Sequence, residues 1–141
     1  MSEMIFLDSN IWLYAMLTYQ SQAKSLACQN LIHANQDNIT LSSQVVIEVI
    51  ANLLRKGNFS EVQIVKFIED VYRDHLVIDV SPKVMLKASQ LRAKYSFSYF
   101  DSLIVAAALE TGSTLLYSED MHNGLVVENQ LTITNPFALA S

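Results

Sequence analysis

IFLDSNIW, residues 5–12, sets Ile5, Phe6 and Leu7 directly against Asp8, Ser9 and Asn10 before the apolar pattern resumes at Ile11 and Trp12. A short continuous apolar run bounded by polar residues reads as a strand buried on both faces, and the apolar residues that follow at helical spacing read as a helix. Asp8 sits at the junction. A short acidic side chain there serves as an ordinary helix cap, and serves equally as half of a metal site if the chain brings other acids to the same place.

Read outward from this stretch, the chain alternates strands and helices. Met4–Leu7 is the first strand, and residues 11–34 keep mostly helical spacing, as two helices broken near Thr18 to Gln20. Asn38–Leu41 is a second strand. Ser42 and Ser43 offer a cap for a helix through QVVIEVIANLLRK, which Gly57 ends in the C′ position. Ser60 and Gln63 have the spacing of a capping box before VQIVKFIEDVYR, and Ser81 with Pro82 opens another helix after a strand over Leu76–Val80. DSLIVAAALE forms the last core helix and closes at Gly112; TLLYS is a strand, and LTITN is a final edge strand after a turn at His122–Gly124. Strands alternating with helices of this length predict an α/β fold, a mostly parallel sheet of four to five strands with helices on both faces.

Composition narrows the class. At 141 residues the chain is read as one domain over 1–141, large enough for a proper core. Hydrophobic residues are 51% and charged residues 16%, which excludes disorder. Cys28, the only cysteine, lies among Leu26, Ala27 and Leu31 and reads as a buried apolar residue, so no disulfide framework exists. MSEMIF has no apolar stretch of signal length and the run Leu103–Leu109 is too short to span a bilayer, so a cytoplasmic protein without a membrane partner is expected.

In such a fold ligands collect beyond the carboxyl ends of the strands, where strand order reverses. Asp8 follows the first strand and Asp120 follows TLLYS, so both belong on that edge. Asp101, in the first turn of its helix, and Glu48, one turn into the helix after the second strand, can reach the same place. Each has an ordinary reading as well. Asp8 caps a helix, Ser98 and Asp101 have capping-box spacing, Glu48 shares a stripe with Gln44, Asn52 and Arg55, and Asp120 suits a turn. Against these stands the setting of Asp8 and Asp101 in strongly apolar sequence, with Lys24 and Lys94 as the closest basic residues along the chain. A divalent cation is then a natural counter-charge, and all-oxygen ligands suit Mg²⁺ or Mn²⁺. Zinc is disfavoured, because His33, His75 and His122 are scattered. His122 beside Asp120 is the one histidine near the proposed edge.

Taken together, FLDSN, QVVIEVIANLLRK, SYFDSLIVAAALETG and LLYSEDM resemble the four acidic motifs of PIN-domain proteins, in the same order across nearly the whole chain. The resemblance implies a three-layer α/β/α domain and a metal-dependent ribonuclease. At this length it also implies the VapC-type toxin of a type II toxin–antitoxin system, with a cognate antitoxin as partner. It makes Asp8, Glu48, Asp101 and Asp120 the catalytic and metal-holding quartet, with Asn10 and Ser118 in support. Ser118 stands where threonine is frequent, which keeps the hydroxyl. Two rival readings are a non-catalytic PIN-like interaction module, whose acids only cap helices, and a phosphoryl-accepting enzyme using Asp8. The last lacks a second acid within Asp8-Ser9-Asn10 and a Lys after a later strand.

A net charge of −5 argues against a nucleic-acid partner until the quartet is set aside: 10 of the 14 acids then face 9 Lys plus Arg, leaving −1. A nearly neutral surface favours a structured RNA such as a tRNA gripped at few points. Arg55, Lys56, Arg92 and Lys94 are candidate phosphate contacts, and Tyr95, Phe97, Tyr99 and Phe100 are candidate base platforms. The mean hydropathy of +0.24 predicts apolar surface left over after folding. From it we expect a homodimer and an antitoxin groove on the early helices around Trp12, Leu13 and Leu53.

Overall fold

Ile5, Phe6 and Leu7 are all buried, at 3%, 0% and 0% exposure, which requires cover on both faces of the strand they form. That cover organises the molecule. The computed structural model describes residues 3–18 and 20–138. Strand β1 (Ile5–Leu7) leads into α1 (Ser9–Met16) and α2 (Gln22–Ala34), then β2 (Ile39–Ser42), α3 (Ser43–Lys56) and α4 (Glu61–Asp74). Next come β3 (Leu76–Ile78), α5 (Pro82–Lys94), α6 (Tyr99–Glu110), β4 (Leu115–Tyr117), β5 (Val126–Val127) and β6 (Leu131–Thr134). The predicted break between the first two helices is present, with Ser21 as the cap of α2. Tyr19 within that break lies outside the described residues, as do residues 1–2 and 139–141 of the predicted domain.

The strands form one sheet in the order β3-β2-β1-β4-β6-β5, parallel except for the β5–β6 pair. Ile5 stands opposite Ile39 on one side and Leu115 on the other. The chain runs outward from β1 first to β2 and β3, and later to β4 and β6, so strand order reverses at β1–β4. Helices pack in two groups, α1 with α2 and α3 on the one hand and α5 with α6 on the other, and α3 and α6 both rest on β2. The result is the layered α/β arrangement expected from the sequence.

Local signals behaved as their chemistry dictates. Ser60 Oγ accepts from the Gln63 N–H at 3.2 Å while Gln63 Oε1 accepts from the Ser60 N–H at 2.8 Å, the full reciprocal cap. Gly112 follows α6 at φ +74°, the left-handed turn that ends a helix at lowest cost with glycine.

Three expectations require correction. LTITN is not an edge strand: β6 lies between β4 and β5, and β5 is the edge. The sheet therefore has six strands rather than four to five. The expected turn at His122–Gly124 is present, the Leu125 N–H donating to the His122 carbonyl at 3.3 Å with Gly124 at φ +91°; a second reversal, between β5 and β6, passes through Glu128 and Asn129, both at φ 54°. Gly57 is the cap residue of α3 itself, at φ −100°, and not a left-handed C′. Space explains it instead. A Cβ there would meet Leu17 Cδ2 at 2.8 Å, Phe59 Cδ1 at 2.9 Å and the Leu53 carbonyl oxygen at 3.0 Å.

Candidate active site

Asp8 occupies the place where the sheet changes direction. Its N–H donates to the Tyr117 carbonyl at 3.0 Å, continuing the β1–β4 ladder by one bond beyond the strand. Its side chain, in a residue only 7% exposed, is held from two directions. Oδ1 accepts from the Ser9 N–H at 2.7 Å, so Asp8 does cap α1. Oδ2 accepts from Ser118 Oγ at 2.8 Å, across 110 residues of chain. Both readings of Asp8 therefore hold at once, one for each oxygen.

The other acids gather from separate elements. Glu48, half-buried on α3, accepts from Ser9 Oγ at 3.0 Å through Oε2 and from Gln44 Nε2 at 3.0 Å through Oε1. Asp120, exposed after β4, accepts from Asn10 Nδ2 at 3.1 Å, and Asn10 Oδ1 accepts from the Glu119 N–H at 3.4 Å. Asp101 lies in the first turn of α6, where Ser98 Oγ accepts from its N–H at 3.2 Å. Asp101 is half-buried, less enclosed than its apolar sequence setting implied, because the apolar run that follows it turns into the core while its own position faces out.

Electrostatics records the convergence. Burial pushes the Asp8 carboxyl up to about 6; hydrogen bonds from Ser118 and Ser9 pull it down, and the charges of Glu48 and Asp101 raise it further. Burial likewise raises the Asp101 carboxyl, with Asp120 and Glu48 adding repulsion against the hydrogen bond from Ser98. Asp8 thus feels Glu48 and Asp101, and Asp101 feels Asp120 and Glu48. Among the described residues no ion pair is formed by any of the four: Lys94 borders the cleft but pairs with Glu128 at 3.1 Å, and Lys24 pairs with Glu119.

The cleft beside Asp101 and Asp120 has a volume of about 410 Å³ and is bordered by Lys94, Tyr95, Phe97 and His122. Of the predicted base platforms, Tyr95 and Phe97 border this cleft as a tilted pair 5.6 Å apart, and Tyr99 and Phe100 are exposed nearby at the start of α6. Arg55 bonds Asn52 Oδ1 at 2.8 Å along the α3 stripe that Glu48 shares.

Among the described residues no three Asp, Glu, His or Cys side chains lie close enough to hold an ion unaided. The donor set nevertheless fits a hard cation such as Mg²⁺, which binds through one or two carboxylates and retains several waters. A cage is not required. A nearly buried carboxylate with like-charged neighbours and no basic partner is the environment such an ion would relieve.

Sequence reasoning passed over Ser9 and Glu119. Ser9 sits between two chosen residues and its role depends on Glu48, 39 positions away, a contact no local pattern reveals. The proposed antitoxin groove also needs correction at two positions, since Leu53 is fully buried in the core and Leu13 does not border the groove that Trp12 lines. Trp12 does border an apolar groove of about 390 Å³, together with Met16, Ile32, Phe59, Phe67 and Val71.

The family model described as PIN domain matches residues 5–122. No curated protein matches the chain. Solved structures do. A toxin–antitoxin complex from Klebsiella pneumoniae is similar at 14% identity and TM-score 0.70, covering 96% of this chain and 99% of that one. VapC20 from Mycobacterium tuberculosis, described as a sarcin-ricin loop cleaving toxin, is similar at 16% identity and TM-score 0.63, over 79% of this chain and 86% of that one. VapBC2 from Rickettsia felis, bound to a fragment of promoter DNA, is similar at 18% identity and TM-score 0.65, over 94% and 99%. At these identities the likeness is one of fold.

Proposed function

The chain belongs to the PIN-domain family, and from that premise we propose that it is a divalent-metal-dependent endoribonuclease, the toxin of a type II toxin–antitoxin pair, acting as one domain over residues 1–141 in the cytoplasm. One observation carries the reading: Asp8, Glu48, Asp101 and Asp120 share one sheet edge, with Asp8 nearly buried and repelled by its acidic neighbours.

In this reading Asp8 and Asp101 hold Mg²⁺ or Mn²⁺, and Glu48 and Asp120 complete or orient its surroundings. When bound, the cation supplies Lewis acidity, favouring water ionisation for attack on phosphorus and neutralising charge on the leaving oxygen. The chain's own residues supply the geometry. Ser118 fixes Asp8 Oδ2, Ser9 fixes Glu48 Oε2, and Asn10 holds Asp120, so these carboxylates are restrained against free rotation. Asp8 acts ionised, and burial that disfavours the free carboxylate strengthens its preference for a cation.

The substrate of this reading is a structured RNA, in keeping with a neutral outer surface and with the loop-cleaving relative. The test is cleavage of total RNA with Mg²⁺ or Mn²⁺. Asp101→Asn is expected to lower the rate by at least about 100-fold, about 2.7 kcal/mol of transition-state stabilisation. The non-catalytic reading draws support from the cap that Asp8 makes on α1, and it predicts that Asp101→Asn changes the melting temperature and leaves RNA untouched.

Two partners follow. The groove at Trp12 receives the antitoxin. Ile47, Leu86 and Phe100 are exposed at 66%, 67% and 64%, and Ile47 and Phe100 meet Val80 and Leu103 in a shallow apolar recess beside Glu48, a face suited to a second copy of the chain. Light scattering is expected to give the mass of a dimer, and Phe100→Asp that of a monomer; a wild-type monomer at micromolar concentration contradicts the assignment.

A further inference from the structure

Glu119 stands between two site positions, Ser118 and Asp120, yet its carboxylate points elsewhere. Oε1 accepts from Tyr14 OH at 2.7 Å, and Oε2 pairs with Lys24 on α2. Its charge is felt by the buried Cys28 thiol of α2, which burial first and Glu119 second push up to about 12.

The backbone of Glu119 is held as well. Its N–H donates to Asn10 Oδ1 at 3.4 Å and its carbonyl accepts from Asn135 Nδ2 at 3.5 Å. Lys24 Nζ lies 5.0 Å from the ring centroids of both Tyr14 and Phe137, which themselves meet edge to face at 5.4 Å. Every hydrogen-bonding group of one residue is thus anchored, by α1, α2 and the segment after β6. The neighbours on either side are the ones that touch the site: Ser118 donates to Asp8 and Asp120 accepts from Asn10.

We propose that Lys24, acting with Tyr14 through Glu119, is a positioning residue for the site: it draws one of two consecutive acids out of the acidic cluster and so fixes the loop that presents the other. The proposal deepens the nuclease reading and rests on it. Without Lys24 the Glu119 carboxylate is uncompensated, free to swing toward the cleft, and the loop loses its anchor on α2. The site then holds its cation less well, by the order of tenfold that losing a partner one step behind the ligands costs.

The test is calorimetric titration with Mn²⁺ alone, alongside amide hydrogen exchange of residues 118–121. Lys24→Met is expected to bind Mn²⁺ about tenfold more weakly and to exchange faster across that segment. Lys24→Arg, which restores the charge, is expected to recover both. Circular dichroism verifies that each variant is folded. Wild-type Mn²⁺ affinity in Lys24→Met overturns the proposal, even if the segment exchanges faster, because the pairing is then structural only. A wild type that neither binds Mn²⁺ nor cleaves RNA overturns the nuclease reading itself, and this proposal with it.

Discussion

Asp8→Asn is expected to abolish RNA cleavage and, in the metal-free protein at pH 7.5, to raise the melting temperature. The two effects have one cause. The Asp8 carboxyl is pushed up to about 6 in the fold, against the ordinary aspartate value of about 3.9. A raised acid binds its proton more tightly when folded, so its contribution is favourable below about pH 4 and is lost as pH climbs through about 6. At 1.36 kcal/mol per pH unit the ionised form costs the metal-free fold roughly 3 kcal/mol at neutral pH. Asparagine carries no charge and keeps an acceptor for the Ser9 N–H. Allowing for imperfect replacement of the Ser118 bond, the gain is about 2 kcal/mol, a rise of roughly 6–10 °C for a chain of this size. Thermal melts at pH 7.5 and pH 4 verify it: the variant gains at the first and is level with wild type at the second. An unchanged or lowered melting point at pH 7.5 removes the argument that this carboxylate is held against its own preference.

The second large effect is the converse. Mn²⁺ at one hundred times its dissociation constant is expected to stabilise the wild type at pH 7.5 by about 2.7 kcal/mol. At pH 5 most Asp8 carries a proton, which the cation must displace, so its affinity falls about tenfold per pH unit below 6. The same Mn²⁺ concentration then gives only about 1.4 kcal/mol. Asp8→Asn is expected to show little stabilisation at either pH. The sign is diagnostic, because a cation bound to ordinary surface carboxylates would lose little affinity between these pH values.

The architecture could be read from the sequence where local signals agreed with the final packing. An apolar triplet ending in Asp8, the Ser60–Gln63 cap and the Ser81-Pro82 start each specify their element with little help from elsewhere. Failures came where tertiary contact decides. Val126 and Val127 form a two-residue strand whose existence depends on pairing with β6, and the second reversal at Glu128 and Asn129, both at φ 54°, carries no glycine or proline to announce it. Gly57 looked like a helix terminator, whereas crowding by Leu17 and Phe59 is what excludes a side chain there.

The candidate site divides in the same way. The acids were legible because strand ends and helix starts fix which edge they occupy. Asn10 and Ser118, named in support of the acids, do bond Asp120 and Asp8, but the other restraints were not legible, since Ser9 meets Glu48 and Lys24 meets Glu119 only after the sheet has brought distant segments together. Charge type could be read along the chain; the direction in which Glu119 faces could not.

The decisive measurement is the anomalous difference map of a crystal soaked in Mn²⁺ at pH 7.5. The account predicts a peak at coordination distance from carboxylate oxygens of both Asp8 and Asp101, absent from crystals of Asp8→Asn. A map with no peak there, the two side chains ordered and turned apart, would contradict it.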